Sequence, residues 1–316
     1  MKPLGLAVDG SGSGWVRDPI NAPRELEALV AEVPRWRQWL GPAISLAIVA
    51  AVLVQIGGID FARIWSMLPS DPLFWAAFAA CYMAQPVSEW LIFRGLWRLP
   101  LGGIMPLLRK QVGNEILLGY IGEVYFYGWA RRHAEIVAAP FGALKDVTIL
   151  SAMLGNVVTL AVLVAGWSTL AVLPSGLHLR SLVASVAVII LTSLVALLLR
   201  RRLFSLPRAA LVRVAALHLA RIVTILLLSV AMWHLMLPTV ALSAWLMLAT
   251  LRLLVSRLPL IPNKELVFAG LTLLLIGRNS PTAEAMTLIA SLFLVAHLAI
   301  GVTLGVAELA ATRRGQ

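Results

Sequence analysis

RLPLIPNKELVFAG, residues 257–270, interrupts a highly apolar region with two prolines, an asparagine and three charged residues. Each proline removes a backbone hydrogen-bond donor and disfavours helix in the residue before it. The chain is therefore predicted to unwind over about 258–263 and to restart as a helix near Asn263. The Asn263 side chain would serve as the N-cap, with Lys264 and Glu265 in the first turn.

The exposed N–H groups of that first turn, with Arg257 and Lys264 beside them, would form an anion site. A phosphate or a carboxylate suits a site of this kind. The alternative is a merely kinked helix whose charged side chains reach the cytoplasmic surface. In the first case residues 257–270 line a polar cavity, and in the second they do not.

Composition places the chain in the membrane. Of its 316 residues 60% are hydrophobic and 13% are charged, and the mean hydropathy is +0.90, far from the values of soluble domains. The 26 Lys and Arg residues outnumber 15 Asp and Glu, giving a net charge of +11. Most of this excess lies in short clusters between apolar runs, which is typical of membrane topology and not of nucleic-acid binding.

The apolar runs predict an all-α, polytopic membrane helical bundle with about seven to eight spans and one or two broken or re-entrant segments. About 20 apolar residues cross the hydrocarbon core of a bilayer. The runs that meet this requirement lie near 41–58, 73–93, 148–173, 181–199, 212–237, 239–256 and 285–307.

Three regions follow from this pattern. Residues 1–39 form a polar, amphipathic leader, residues 40–310 a single transmembrane helical domain, and residues 311–316 a short tail. No removable signal peptide is predicted, so the first membrane helix would direct insertion. Basic residues collect in the leader and in alternate loops, which assigns the N-terminus to the cytoplasm.

Two segments depart from the regular alternation of spans and loops, and both contain acids and are interrupted by Gly or Pro. Residues 111–128 have basic flanks on both sides, which favours a re-entrant segment that returns to the cytoplasmic side. Residues 257–275 are predicted to cross, because the final basic residues would then lie inside. One broken segment in each half is also the pattern expected of two structural repeats with a site between them.

Ionisable residues inside membrane segments are functional candidates because burying them is costly. Glu115 shares a helical face with Gln111, and Glu123 lies at the edge of this polar stripe. Alternatively, the two glutamates cap the segment or pair with neighbouring arginines at the membrane surface. Arg221 lies within an apolar run and could bind a lipid phosphate, pair with Glu115, Glu123 or Glu265, or extend to the surface.

Other patterns predict packing. Gly155 and neighbouring small residues share one face of the third span, and Gly301 and Gly305 form a G-x-x-x-G pair in the last span. The five histidines are scattered and the single cysteine cannot form a disulfide within one chain, so no metal site or cofactor is predicted. No catalytic motif is recognised either.

Three stretches taken together resemble a known family. NEILLGYIGEVYFYGWARR at 114–132, FGALKDVTILSAMLGNVVTL at 141–160 and RLPLIPNKELVFAG are similar to the transmembrane region of the lysylphosphatidylglycerol synthase family and its flippase-like relatives. The resemblance covers about residues 40–310. It implies a protein of the bacterial inner membrane that moves lipid-linked molecules between leaflets for envelope synthesis. It does not imply aminoacyl transfer, which belongs to a separate soluble domain.

The match to that family is incomplete. The matching positions are Gly122 and Glu123 of a Gly-Glu-x-x-Arg element, Lys145 and Asp146 of a basic-Asp pair, and Pro259 and Pro262 of a Pro-x-x-Pro-Gly-Gly element. Phe126 stands where the family has arginine, and Asn263 and Lys264 replace the two glycines. These departures leave the substrate open.

Two functions remain open. The first is a flippase-like protein that translocates an anionic or isoprenoid-linked lipid. Its polar path would be formed by Glu115, Glu123, Arg221, Arg257, Asn263, Lys264 and Glu265, and its cytoplasmic basic rim by Arg94, Arg98, Arg131, Arg252 and Arg257. The second is a non-transporting scaffold for lipid-modifying enzymes or glycosyltransferases. Membrane lipids and envelope-synthesis enzymes are the expected partners, nucleic acid is not, and oligomers are compatible with either function.

Overall fold

Eight α-helices and one short 3-10 turn account for the regular structure in the part of the chain that is described. The computed structural model describes residues 67–116, 121–133, 140–165, 204–257, 263–277 and 280–314, and no strand occurs among them. The helices are α1 (Pro72–Trp97), α2 (Ile104–Ile116), α3 (Ile121–His133), α4 (Pro140–Ala165), α5 (Arg208–Met236), α6 (Leu242–Ser256), α7 (Lys264–Ile276) and α8 (Pro281–Arg314). The all-α prediction is confirmed over these ranges.

Among the described residues three helices are long and apolar enough to cross a membrane, namely Gly142–Ala165 in α4, Arg208–Met236 in α5 and Pro281–Gly305 in α8. They match three of the predicted runs. Helix α1 is about 39 Å long but carries Gln85, Pro86 and Glu89, which make it less apolar. The predicted runs at 41–58 and 181–199 and the leader at 1–39 lie outside the described residues, so seven to eight spans stay a prediction.

One end of the helical bundle is rich in arginine. Its core joins the end of α1 to the starts of α2, α4 and α5 and to α3; the buried residues are Ile92, Phe93, Trp97, Leu99, Leu107, Phe126, Ala130, Ala143, Leu144, Val147 and Val214. Exposed cations surround this core: Arg94, Arg98, Arg131, Arg208 and Arg213. We call this region the basic end. These basic residues, distant in sequence, therefore lie together at one end of the bundle.

A second core lies mainly toward the opposite end, called here the far end, and extends along the bundle to Leu108 of α2 and Val255 of α6. It joins the start of α1, the end of α5, the start of α6, α7 and the start of α8, and includes Phe74, Met232, Trp233, Trp245, Phe268, Ala285 and Met286. The Trp233 ring lies 5.9 Å from the rings of both Trp245 and Phe268. Helices α1, α4, α5 and α8 run between the two ends.

Helices α2 and α3 form a hairpin that enters from the basic end and returns to it. Each has 13 residues and is about 20 Å long, shorter than the roughly 30 Å hydrocarbon core. The Asn114 side-chain oxygen accepts a hydrogen bond from the Gly122 N–H at 2.8 Å, which caps the start of α3. This geometry agrees with a re-entrant segment at 111–128.

A glycine sets the spacing between these two helices. A Cβ atom at Gly122 would lie 2.2 Å from the Lys110 carbonyl oxygen and 2.8 Å from its carbonyl carbon. Backbone atoms cannot move aside as a flexible side chain can, so only glycine allows α3 to approach α2 this closely. The close approach also brings Glu123, the next residue, toward Lys110.

Helices α6 and α7 form a second hairpin, and the prediction that residues 257–275 cross is wrong. Helix α6 starts in the far-end core, and α7 ends at the short turn before α8, which itself starts there. Helix α7 has 13 residues and is too short to cross. Positive-inside reasoning assigns only the ends of segments, and the second hairpin lies between α5 and α8.

Asp146 fastens the start of α5 to α4. Its side chain is 0% exposed, and its Oδ2 atom accepts hydrogen bonds from the Ser205 N–H, the Ser205 hydroxyl and the Leu206 N–H at 2.6, 3.0 and 2.8 Å. Asp146 was predicted to be part of a family motif, and its contacts give it a structural role.

We expect Asp146→Asn to lower the free energy of unfolding by about 1–2 kcal/mol, because an amide oxygen is a weaker acceptor than a carboxylate. Chemical denaturation in detergent micelles would measure this loss. Asp71→Asn, an exposed N-cap of α1, provides a control in which the same substitution should change stability by less than about 0.5 kcal/mol. Equal effects in the two variants would contradict the structural role.

Candidate functional site

Four charged side chains from four different helices meet inside the bundle. Lys110 Nζ lies 2.8 Å from Glu89 Oε2 and 3.3 Å from Glu123 Oε1, and Arg221 Nη1 lies 3.9 Å from Glu89 Oε1. Glu89 and Lys110 are only 5% and 4% exposed. We call this group the charge network. It connects α1, α2, α3 and α5 through ion pairs alone.

The charge network contains two acids and two bases, so its formal charges cancel, and further polar groups form hydrogen bonds with it. Isolated buried ions are very costly, so two acids and two bases in contact are the arrangement that burial requires. Gln85 Nε2 donates to Glu89 at 3.4 Å and Arg221 Nη2 donates to the Ser151 hydroxyl at 2.9 Å. Glu123 Oε2 is buried with no hydrogen-bond partner within the described residues, so this carboxylate has acceptor capacity left.

The network lies deep within the bundle. Arg221 is near the midpoint of α5, about 20 Å along the helix from Arg208. Its guanidinium does not extend to a surface, because it contacts Ser151 and Glu89. Pairing with Glu115, Glu123 or Glu265 was one of three alternatives for Arg221, and its carboxylate partner among the described residues is Glu89 instead.

Sequence reasoning missed two members of the network. Lys110 belongs to the basic flank of residues 111–128, which was interpreted only as a topology signal, whereas its amine is buried between two carboxylates. Glu89 was overlooked within an apolar run. The signal was present, because an acid inside an otherwise apolar span is a functional candidate by default. For Glu123 one alternative was a pair with arginines at the membrane surface, and its partner is Lys110 instead.

The tips of the two hairpins touch near the middle of the bundle. The Asn263 N–H donates to the Glu115 carbonyl oxygen at 2.8 Å, so the two broken segments meet in space. Arg252 forms a two-point salt bridge with Glu265, and Glu115 lies within electrostatic range of Glu265, Lys264 and Arg252. These residues form what we call the tip cluster.

Helix α7 restarts where the sequence predicted, with a different cap. It begins at Lys264, after Asn263 in the left-handed conformation with φ at 49°. The Asn263 side chain makes no capping hydrogen bond, so that part of the prediction is wrong. Its carbonyl oxygen instead accepts from Leu266 and Val267 N–H at 3.0 and 3.3 Å. Pro259 and Pro262 lie outside the described residues.

The surroundings of this first turn differ from the predicted anion site. Lys264 Nζ donates to the Ser256 carbonyl oxygen at 2.9 Å, where it stabilises the negative end of the α6 dipole. Arg257 also turns toward Ser256, donating to its hydroxyl at 2.9 and 3.0 Å. The carboxylates nearest to the turn are those of Glu115 and Glu265, so acids and bases alternate there.

Helix α2 links the charge network to the tip cluster. Lys110 belongs to the network, whereas Gln111 Nε2 donates to the Tyr82 carbonyl oxygen at 3.3 Å and Glu115 lies at the tip. The Tyr82 hydroxyl in turn lies 2.9 Å from His297 Nδ1. Within the described ranges no three His, Cys, Asp or Glu residues form a metal-binding group. The buried polar groups thus form a chain along α2.

The predicted basic rim divides into two sets. Arg94, Arg98 and Arg131 lie exposed at the basic end. Arg252 and Arg257 do not lie there: a Cβ at Gly155 would be 1.9 Å from Arg257 Nη1, and Gly155 is about 22 Å along α4 from Pro140. The prediction that Arg252 and Arg257 belong to the basic rim is therefore wrong, because the hairpin of α6 and α7 enters from the far end.

The small residues that were predicted to pack helices have varied roles. Gly155 makes room for the Arg257 guanidinium, and Thr159 donates to the Gly155 carbonyl oxygen at 2.7 Å. A Cβ at Gly301 would lie 3.2 Å from Val112, so α8 packs closely on α2 at this point. Gly305 has open space around it. Close helix packing is thus confirmed at Gly301 alone.

A comparison of the chain with protein-family models, curated proteins and solved structures finds no match. The arguments about function therefore start from the geometry of the charge network and the tip cluster.

Proposed function

We propose that this protein binds an anionic lipid or lipid-linked intermediate and translocates it across the membrane. The observation that carries the proposal is the charge network, in which Glu89, Lys110, Glu123 and Arg221 lie buried about halfway along α5. Charged groups inside membrane bundles are rare and usually belong to substrate or ion pathways.

The two hairpins support the same class of function. They enter from opposite ends and meet at Glu115 and Asn263. Opposed, discontinuous helices with binding sites near the membrane midplane are characteristic of transporters built from inverted repeats. Non-helical backbone at that depth is tolerated only where protein or a water-filled cavity covers it. Glu115 and Asn263, the described residues that meet between the two hairpins, are both polar.

The order of charges suggests a path for a negatively charged headgroup. The exposed arginines of the basic end would attract it, and Lys110 and Arg221 are the next cations along the bundle. Arg252 and Lys264 follow in the second hairpin, within electrostatic range of Glu115. The family resemblance favours the same substrate class, and the lipid itself would be defined by assay.

Translocation can be measured in liposomes containing a fluorescent anionic lipid, with accessibility of the label in the outer leaflet followed over time. Glu123→Gln is expected to slow translocation at least about tenfold, corresponding to roughly 1.4 kcal/mol, because Lys110 loses one of its two carboxylate partners. Asp71→Asn, the same acid-to-amide change at an exposed residue before α1 at the far end, is the control and should translocate at the wild-type rate.

Thermal unfolding of both purified variants would show whether they are folded. Wild-type translocation by a folded Glu123→Gln protein would remove Glu123 from the path. Absence of translocation by the wild-type protein with every anionic headgroup tested would contradict the proposal and favour a scaffold.

A further inference from the structure

The Glu115 carboxyl, in the last turn of α2, differs from four other acids inside the bundle. Those four each contact a cation or accept hydrogen bonds: Glu89, Glu123, Asp146 and Glu265. The Glu115 carboxyl makes no hydrogen bond or salt bridge with any residue that the structure describes, although cations lie within electrostatic range. A carboxylate without a direct partner is costly to hold inside a membrane protein, and binding a proton removes that cost. Glu115 is also partly exposed, so a proton can reach it.

An acceptor for that proton lies one helical turn away. Gln111 and Glu115 are four residues apart on α2, so their side chains are neighbours on one face. Gln111 is 9% exposed, and its Oε1 atom is buried with no hydrogen-bond partner in the described part of the chain. A carboxylate has no hydrogen to donate to this oxygen, whereas the O–H of a protonated glutamate has one. The neutral form of Glu115 therefore satisfies both side chains.

Gln111 is oriented by a break in the hydrogen bonding of α1. Pro86 lies inside this helix and has no N–H to donate to the Tyr82 carbonyl oxygen four residues earlier. Gln111 Nε2 donates to that oxygen instead, at 3.3 Å. Because a carbonyl oxygen only accepts, this bond also fixes which atom of the Gln111 amide is the nitrogen. The Oε1 atom is thus the end of the side chain that is left for Glu115.

Charged and titratable groups from several helices surround Glu115. Those within electrostatic range are Tyr82 of α1, Arg252 of α6, and Lys264 and Glu265 of α7.

Two nearby titratable groups have other direct partners. His297 of α8 lies beyond Tyr82, with its Nδ1 atom 2.9 Å from the Tyr82 hydroxyl. Glu123 of α3 pairs with Lys110, at 3.3 Å. These contacts leave Glu115 as the described carboxyl of the tip cluster that has no direct partner.

The net charge of the tip cluster depends on one proton. With Glu115 ionised, two acids and two bases cancel: Glu115, Glu265, Arg252 and Lys264. Arg252 is bound to Glu265 through its two-point salt bridge. Protonation of Glu115 therefore leaves the positive charge of Lys264 without a balancing acid. An anionic headgroup is attracted to the cluster in this state, and loss of the proton removes the attraction.

We propose that Glu115 binds a proton that travels together with the anionic headgroup, so that the protein is a symporter of protons and lipid. This inference rests on the translocation proposed above and names what drives it. The proton passes from water to a Glu115 oxygen, giving a carboxylic acid that donates to Gln111 Oε1, and it returns to water when the headgroup leaves. No covalent bond to the lipid forms or breaks. Linkage requires each ligand to strengthen the binding of the other.

The test follows a fluorescent phosphatidylglycerol in liposomes that contain the purified full-length protein, under a pH gradient of about one unit. The wild-type protein should enrich the label in the leaflet on the alkaline side, up to about tenfold when one proton moves with each lipid. Glu115→Gln cannot exchange a proton and should give no enrichment beyond that of protein-free liposomes. Asp71→Asn, the same change at an exposed acid, is the control and should keep the wild-type enrichment.

The conservative variant Glu115→Asp separates the carboxyl group from the packing at this position. It keeps a titratable acid, so part of the enrichment should return, whereas a folding defect would abolish the response in both variants. Equal enrichment by wild type and Glu115→Gln would overturn the proposal. Enrichment driven by a sodium gradient at equal pH would assign the site to sodium and overturn the proton.

Failure of coupling and failure of translocation are distinguishable. A wild-type protein that equilibrates the label between leaflets and ignores the pH gradient would overturn coupling and leave translocation standing. A wild-type protein that moves no label would contradict both. Infrared difference spectra of the protein in micelles, between about pH 5 and about pH 9, test the proton site without transport. A carboxylic-acid carbonyl band at the lower pH should be weaker in Glu115→Gln, and identical spectra would overturn the site.

Discussion

Lys110→Met is expected to lower the free energy of unfolding by about 3–5 kcal/mol, the usual cost of removing one partner from a buried ion pair. Lys110 is the cation nearest to both Glu89 and Glu123. Without Lys110, Arg221 is the remaining cation of the network for two buried carboxylates. Of these two carboxylates, Arg221 contacts that of Glu89 alone. Chemical denaturation in micelles would measure the loss, and translocation in liposomes should fall with it.

A second substitution tests the electrostatic cause. Lys110→Met/Glu123→Gln removes the uncompensated carboxylate and should recover most of the lost stability, because a neutral buried pair can replace an ionic one at little cost. Lys145→Met is the matched control: this amine is partly exposed and 3.7 Å from Asp146, so the change should be below about 1 kcal/mol. A stable Lys110→Met protein would mean that the network contributes nothing to the fold.

Gly122→Ala is expected to destabilise the protein by about 3 kcal/mol, at the upper end of the range for overpacking. The added Cβ would overlap the Lys110 carbonyl group, 2.2 Å away, and α3 would have to move off α2. That movement would also lengthen the Glu123 to Lys110 ion pair. Denaturation midpoints of wild-type and variant proteins in the same detergent provide the measurement.

Gly128→Ala in the same helix is the control, because a Cβ there has no neighbour within 4 Å. Alanine is the better helix former by roughly 0.5–1 kcal/mol, so this variant should be as stable as wild type or slightly more. If both variants behave alike, the close approach of α2 and α3 does not limit stability.

The first hairpin could be predicted from sequence because basic residues flank both of its ends. The second could not, since charge statistics describe the ends of segments and not their paths within the membrane. Residues 239–256 look like an ordinary span, and only the contacts of Phe268 and Trp245 in one core show that the chain turns back.

The candidate site was predicted in part. Glu115, Glu123, Arg221 and Glu265 were identified because each is ionisable within an apolar segment. The partners of these four residues could not be identified from the sequence, because the contacts join residues that are far apart in it. The role of Lys110 was missed because it directly follows Arg109 in the sequence. Successive side chains of a helix point about 100° apart, so the two have different surroundings. Arg109 reaches Tyr125 and the Leu304 carbonyl oxygen, while its neighbour Lys110 points to Glu89.

The dispersal of the charge network along the chain sets an order for biosynthesis. Ribosomes deliver Glu89, Lys110 and Glu123 to the insertion machinery before Arg221 is made. Until α5 is inserted, two carboxylates have one amine between them, an unfavourable state in hydrocarbon. Arrival of Arg221 neutralises the group and draws α5 against α1. The nascent bundle is therefore expected to remain loosely assembled, and open to quality-control proteases, until α5 docks.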